Sequence, residues 1–379
     1  MKRALIITSI GGFLPQFLMS DVRSLQALGY EVHYASNFHN PVYHFSKEAL
    51  TEAGIILHHI PLRKSPLRVI SNCRALRCLI RLIRQERIDL VHCHNPMGGA
   101  LGRVAAAMSG ARPTVLYTAH GFHFFHGAPL WYWGVFYPAE RLLAKQTDIL
   151  ITINREDAAW AQHLPLRQGG RIYMIHGVGV DAARFCGRPA DRERMRTELR
   201  IPDGAFHLVN AAELNDNKNQ RVILEALALL KDPDIRLSIC GRGKNRQLLE
   251  EMIDRLELAD QVRLLGYRTD MENVLQSADC FIFPSRREGF GIAAVEALLT
   301  GIPVIASDNR GTREYMVDGY NGLVCPPWDA AAFAAQIRRM KEDTAFRQRC
   351  AEAARQSAAP FTTENRAETM RAVYAAIDT

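Results

Sequence analysis

Residues 284–314 read PSRREGFGIAAVEALLTGIPVIASDNRGTRE. The apolar run Cys280-Phe281-Ile282-Phe283 ahead of Pro284 reads as a strand. A polar loop then reaches Glu288-Gly289-Phe290-Gly291, and an apolar segment through Leu299 has helical length. Gly301 and Pro303 end that segment before a second strand. This is a β-loop-α-β unit with a glycine turn at the helix start. Free backbone N–H groups there can hold an anion. Two carboxylates lie eight residues apart: Glu288 in the loop and Glu296, roughly two turns into the helix. One acid on each side of a bound anion could hold two hydroxyl-bearing groups. A sugar nucleotide has that layout, with its sugar, pyrophosphate and ribose in order. The competing reading is an ordinary βαβ unit with solvated acids.

At 379 residues the chain is too long for one simple core, and two domains are expected. No apolar run reaches 18 residues, so no spanning helix is expected. The start, MKRALIITSIGGFLP, is basic and then apolar. It lacks a small-residue cleavage site and reads as a first strand ending in a turn. Eight cysteines are scattered without a CxxC pair. Cys93, Cys240 and Cys280 sit in apolar runs, as buried free thiols do. Together these features predict a cytoplasmic chain. The net charge of +7 suits an acidic partner, such as phosphate, nucleic acid or an anionic membrane face.

Working outward, residues 4–9 form a short apolar run closed by Gly11-Gly12, and Glu31–Ala35 a second strand. That opening is doubly wound, although GxGxxG is missing. Residues 61–87 carry eight Arg/Lys against one acid, Glu86. Arg74, Arg77, Arg81 and Arg84 share one helical face, with Leu76, Leu79, Ile80 and Ile83 opposite. This basic amphipathic helix packs on a sheet and could also attract anionic lipid. His120, His123 and His126 follow a strand at intervals of three. Without HExxH, and with Gly121 in a loop, they do not read as a metal site. A ligand contact suits His120 better. The aromatics of 129–137, including Trp131 and Trp133, read as core packing or as an interfacial patch beside an apolar acceptor. The polar stretch 187–206 marks a domain boundary. The pattern then restarts: strand His207–Ala211, a loop containing Lys218, strand Ile235–Cys240, and Gly241-Arg242-Gly243. Asp232-Pro233-Asp234 sits in a helix-to-strand turn and is set aside as a metal motif. The expected fold class is α/β, with two doubly wound Rossmann-like domains facing across a cleft. Ligands would bind at the carboxyl ends of the parallel strands.

With these motifs in hand, the chain resembles the family 4 glycosyltransferases of GT-B fold over nearly its whole length. The most specific likeness is Glu288 followed at seven intervening residues by Glu296, within EGFGIAAVEAL. Gly11-Gly12, His120, HGVGVD with Phe185, Lys218 and Gly241-x-Gly243 support it. The TAHGFHFFHGAPLWYW stretch looks like the branch that assembles capsule, exopolysaccharide and glycoprotein oligosaccharides on a lipid carrier in bacteria.

The resemblance implies a retaining, metal-independent transfer from a nucleotide sugar, with a UDP-sugar weighted by the family. Residues 1–186, joined by helix 361–379, would bind the acceptor, and 187–360 the donor. Glu288 would contact the sugar hydroxyls, Glu296 the ribose, and Lys218 the pyrophosphate. The Gly12 backbone would approach the reacting centre, and His120 the donor sugar. His120, Glu288 and Lys218 are thus the implied catalytic set. Gly11, Gly12, Gly241, Arg242, Gly289, Phe290, Gly291, Glu296 and Arg310 complete the donor set. Arg74, Arg77, Arg81, Arg84, Trp131 and Trp133 would face the membrane and the acceptor.

No cofactor, metal or nucleic acid is expected. The partners would be a nucleotide sugar, a lipid-linked saccharide and the inner face of the plasma membrane. The family usually has Arg five residues before the Lys, where this chain has Glu213. Arg242 or Arg310 must then supply the second positive charge. Two other readings compete: a sugar-nucleotide epimerase of the same fold, and a non-enzymatic basic module that binds membranes or polyanions.

Overall fold

Val, Ile, Leu and Ala fill the short runs that punctuate this sequence, and strands so apolar must be covered on both faces. The computed structural model describes residues 1–39, 41, 43, 45–185 and 189–377. Among these, seven strands form a first parallel sheet: β1 (Lys2–Ile7), β2 (Tyr30–Ser36), β3 (Ile55–His59), β4 (Leu90–His94), β5 (Thr114–Ala119), β6 (Ile149–Thr152) and β7 (Arg171–Met174). Their order is β3-β2-β1-β4-β5-β6-β7. Six more form a second: β8 (Phe206–Ala211), β9 (Ile235–Cys240), β10 (Val262–Gly266), β11 (Cys280–Phe283), β12 (Val304–Ser307) and β13 (Gly322–Cys325). Their order is β10-β9-β8-β11-β12-β13. All pairings are parallel, with β1 set against Tyr30–Ala35 on one side and Leu90–Cys93 on the other.

The α/β, doubly wound expectation therefore holds for each half. Strand order reverses at β1/β4 and again at β8/β11, the switch points where such sheets take ligands. The short edge strand β3 and the late strand β13 were not read from the sequence. Each is four or five residues long and borrows its stability from one neighbour.

The chain divides into two compact units, Met1–Gly179 with Thr363–Thr379, and Val180–Thr362. The crossing is at Gly179/Val180. The boundary expected at 186/187 lies outside the described residues. Pro360 sits in a short turn before the last helix, Thr363–Ala375, which belongs to the first unit. Arg366 of that helix makes a two-armed ion pair with Asp21, both arms buried. Each unit has its own core. Leu5, Ile7, Val91, Val115 and Leu150 anchor the first, and Leu208, Leu237, Ile239, Ile282 and Ile305 the second.

Helix Val69–Gln85 is the basic amphipathic helix. Ala75, Leu79 and Ile83 are buried, while Leu76 and Ile80 pack at the core margin. Arg74, Arg77, Arg81 and Arg84 are exposed. No helix among the described residues is long and apolar enough to cross a membrane.

Candidate functional site

In the second unit the loops after β8, β11 and β12 are stapled together. Asn215 Oδ1 accepts from the N–H groups of Asn217 and Lys218, both at 3.0 Å. Asn217 Nδ2 donates to Arg287 O at 2.9 Å, and Arg286 N donates to Asn217 O at 2.8 Å. That turn aims Lys218 at Glu288, whose Oε1 accepts from Nζ at 2.5 Å. The pair is mostly hidden, at 23% and 11% side-chain exposure. Water screens it little, and the bond is charge-assisted. The family resemblance implied two separate duties for Lys218 and Glu288. Their contact across 70 residues carries no local sequence signal.

The buried Arg310 donates from Nε to Glu288 O at 3.3 Å. A Cβ at Gly311 would stand 2.7 Å from the Glu288 Cβ, so the β12 loop presses directly on the carboxylate's base. Of the two arginines expected to replace the missing family Arg, Arg310 is therefore the one beside Glu288. Arg242 is exposed and lies over the Tyr267 ring at 5.9 Å. Glu213 is also exposed, and its carbonyl accepts from Gln220 Nε2.

Helix Ile292–Thr300 starts at Gly291, which has φ of +99°. A side chain there would be strained, and its Cβ would fall 2.6 Å from the Tyr315 hydroxyl. That hydroxyl donates to Gly291 O at 3.1 Å. Phe290 is buried against Tyr315 and Phe361. Gly289-Phe290-Gly291 thus sets the helix entry. Glu296 is the fifth residue of this helix, about one turn in rather than two. Burial pushes its carboxyl up to about 7, with Arg184 opposing the shift and Glu272 adding to it. Arg184 and Glu272 are themselves ion-paired at 2.7 Å. Glu296 therefore exchanges a proton near neutrality, unlike an ordinary surface glutamate.

Gly241 has a packing reason for being glycine. Its Cβ would lie 1.9 Å from Ala212 O, and that of Gly243 2.2 Å from Leu214 O. The β8 and β9 loops touch backbone to backbone here. Asp232 and Asp234 both reach Lys341, at 2.5 and 3.7 Å, which accounts for the DxD turn.

In the first unit, Gly12 has φ of +83° and its Cβ would meet Tyr43 O at 2.3 Å. Gly11 faces Asn37 O in the same way, at 2.5 Å. The glycine pair lets the β1 loop pack closely against Asn37 and Tyr43. His120, half-buried after β5, has its Nε2 3.1 Å from His94 Nδ1 and an edge-on ring contact with Phe13. Burial, Arg366 and His92 together hold its pKa down to about 3, so it is neutral at physiological pH. His123 leans on Phe136, while the His126 N–H donates to Glu156. Among the described residues, the one group with metal-ligand spacing is Asp21, His92 and His94. Asp21 is taken by Arg366, and both His92 nitrogens by Tyr374 and Thr118, so within this group only His94 keeps a ring nitrogen without a partner among the described residues. The sequence reading missed this polar layer, although three histidines in two buried strand ends were its visible trace.

The two tryptophans part company. Trp131 is 60% exposed, beside Leu130 and Val135, whereas Trp133 packs on Phe124 and Trp160 as part of the core margin. Trp133 therefore does not belong with an interfacial patch. Arg84 likewise ties to the Met108 and Ser109 carbonyls at a helix end. Arg74, Arg77 and Arg81 have no ion-pair partner among the described residues.

Comparison with known proteins gives two adjoining matches. The family model described as Glycosyltransferase Family 4 matches residues 18–184, and that described as Glycosyl transferases group 1 matches 191–357. A Bacillus subtilis (strain 168) protein named "Putative glycosyltransferase EpsD" is 36% identical over 379 residues, covering 99% of this chain and 97% of its own. An Escherichia coli UDP-Gal:alpha-D-GlcNAc-diphosphoundecaprenol alpha-1,3-galactosyltransferase is 28% identical over 289 residues, 75% of this chain and 74% of its own. Among solved structures, Anabaena Alr3699/HepE in complex with UDP-glucose superposes with a TM-score of 0.81 at 20% identity, covering 99% of this chain and all of that one. WaaG, a glycosyltransferase involved in lipopolysaccharide biosynthesis, gives 0.76 at 19% identity, covering 98% and 99%. At such identities the structures establish the fold.

Proposed function

This chain belongs to the family 4 glycosyltransferases and has their GT-B fold, and from that premise we propose a retaining, metal-independent transfer from a UDP-sugar to a polyprenyl-diphosphate-linked saccharide. The observation that carries the proposal is the Lys218–Glu288 pair, a cation and a carboxylate held together at the carboxyl ends of β8 and β11.

Departure of the sugar leaves a diphosphate with growing negative charge. Lys218, Arg310 and the free N–H groups where helix Ile292–Thr300 begins are suited to meet it. When a diphosphate claims Lys218, Glu288 loses its partner and becomes available to accept from sugar hydroxyls. Glu296 accepts from the ribose hydroxyls in its ionised form. His120 and the Gly12 backbone are assigned to the donor sugar and phosphate on the family likeness.

The anomeric carbon becomes oxocarbenium-like as the bond to oxygen breaks. Glu288 is a sugar-binding group in this scheme and not a nucleophile. The acceptor hydroxyl then attacks from the face the diphosphate leaves, and the diphosphate oxygen takes its proton. Peripheral membrane association rests on Arg74, Arg77 and Arg81, and on Leu67, Val69 and Ile70, which are exposed at the helix start.

A panel of nucleotide sugars scored for thermal protection, followed by transfer to a polyprenyl-diphosphate disaccharide, tests the reading. Protection by UDP-sugars and a product of retained configuration, formed in EDTA, are expected. A strict divalent-metal requirement, or inversion, would overturn the mechanism. Donor turnover without acceptor would favour the epimerase. Arg74, Arg77 and Arg81 changed together to Glu should release the protein from anionic vesicles, and unchanged partitioning would end the membrane reading.

A further inference from the structure

Three histidines meet where β4 and β5 end, and all five residues of β4 are buried. His92 has both ring nitrogens engaged: Nδ1 with the Tyr374 hydroxyl and Nε2 with Thr118 Oγ1, each at 2.8 Å. Its ring centroid lies 4.1 Å from that of His94. His94 Nδ1 lies 3.1 Å from His120 Nε2. His94 Nε2 is buried with no hydrogen-bond partner among the described residues. The Asp21 carboxylate comes within 4.8 Å of it or of its ring partner, but both Asp21 oxygens accept from Arg366.

A hydrogen bond between two ring nitrogens needs one donor and one acceptor, which leaves two neutral pairings. In the first, His120 donates from Nε2, and His94 accepts at Nδ1 and must carry its own proton at Nε2. That buries an N–H with no acceptor, the costliest kind of unmade bond. In the second, His94 donates from Nδ1 and its Nε2 is left as a buried lone pair that needs no acceptor. The second pairing also settles His120. Its Nε2 accepts, so its proton sits on Nδ1. Burial and the Arg366 charge keep both rings from taking a second proton near neutrality.

We propose that His94 is a positioning residue that locks His120 in its Nδ1–H tautomer, so that the site presents a neutral hydrogen-bond donor at that nitrogen. The tautomer stands on this geometry alone. Its consequence for transfer rests on the proposed function. A neutral N–H can hold a sugar or phosphate oxygen, and it cannot take the acceptor's proton. The proton must then leave with the diphosphate, as same-face attack requires.

The test is long-range 1H–15N spectroscopy on the whole protein labelled with 15N-histidine, with His120 assigned by its loss in His120→Gln. Free histidine side chains favour the Nε2–H form, so an Nδ1–H pattern for His120 is diagnostic. A wild-type His120 protonated at Nε2 overturns the proposal. His94→Asn keeps an N–H donor where Nδ1 stands and should retain both the Nδ1–H pattern and kcat within a few fold. His94→Leu should lose the pattern and lower kcat about 10- to 100-fold, with a smaller change in KM for the UDP-sugar. A folded His94→Leu enzyme with wild-type kcat overturns the positioning role. Where His94→Leu does not fold, the wild-type and His94→Asn spectra decide. A protein that transfers no sugar from any donor would sink the proposed function, while the tautomer would still be decided by the His120 spectrum.

Discussion

Glu296→Gln separates what the fold tolerates from what the site requires. The carboxyl is pushed up to about 7 by burial, against 4.5 for an ordinary glutamate. Between those two pH values the folded chain keeps a proton that the unfolded chain has released. Stability therefore falls as pH rises through that window, and the loss is complete above about 7. A shift of this size corresponds to about 3 kcal/mol. Glutamine removes the titration while keeping the shape. Glu296→Gln should match the wild type near pH 4.5 and exceed it by up to about 3 kcal/mol at about pH 8. Denaturant midpoints of the second unit's transition across that pH range would measure it.

The same change should weaken UDP-glucose binding about 10- to 100-fold at about pH 8, because a neutral amide replaces a charge-assisted acceptor of the ribose hydroxyls. UDP-glucose is the useful probe, since neither of its phosphates titrates near neutrality. Its affinity for the wild type should rise with pH up to about 7 and then level, and should be flat for Glu296→Gln. A stability difference that does not grow between those pH values refutes the buried-carboxyl argument. Unchanged affinity refutes the ribose role.

Three further changes probe the same framework. Lys218→Ala should cut transfer about 100-fold or more with circular dichroism intact, and full activity would remove the phosphate role. Gly311→Ala places a Cβ 2.7 Å from the Glu288 Cβ and should weaken UDP-glucose binding by calorimetry without touching any ligand group; unchanged affinity would show that the β12 loop does not set Glu288. Arg366→Ala strands Asp21, which is fully buried, and should cost about 3–5 kcal/mol in chemical denaturation. A cost under about 1 kcal/mol would mean that the last helix is held by apolar contacts alone.

The fold was legible because it is written in local patterns. Runs such as 4–7 and 280–283 are short and apolar, as buried parallel strands are, and a glycine or proline follows within a few residues. β3 escaped because only one of its five residues is buried, and β13 because its four apolar residues are too short a run to stand out. The helix start after Gly291 was legible, but the depth of Glu296 within the helix was not. Counted from Gly291 at φ +99°, Glu296 is the fifth residue of the helix and so lies about one turn in, because three of the residues that separate it from Glu288 belong to the glycine loop.

The site was legible one residue at a time and illegible as a set of contacts. Spacing marks Glu288 and Glu296, and the family resemblance Lys218, yet neither can tell that an Asn215 turn carries Lys218 onto Glu288. A lysine and a glutamate 70 residues apart have no periodicity to share. The same limit hid the backbone contact that requires glycine at 241, and left open which of two readings, core packing or interfacial patch, Trp133 takes. It also hid the partners of His120. A histidine after a strand can be read as a ligand contact. Whether it offers a proton or a lone pair depends on His94, 26 residues away on the neighbouring strand, and on what surrounds the far nitrogen of that ring. Residue type thus survives into the sequence, while protonation state is a property of the neighbours that folding supplies. In this chain the chemistry proposed for Glu296 and for His120 is set by burial and by an arginine in each unit, Arg184 and Arg366.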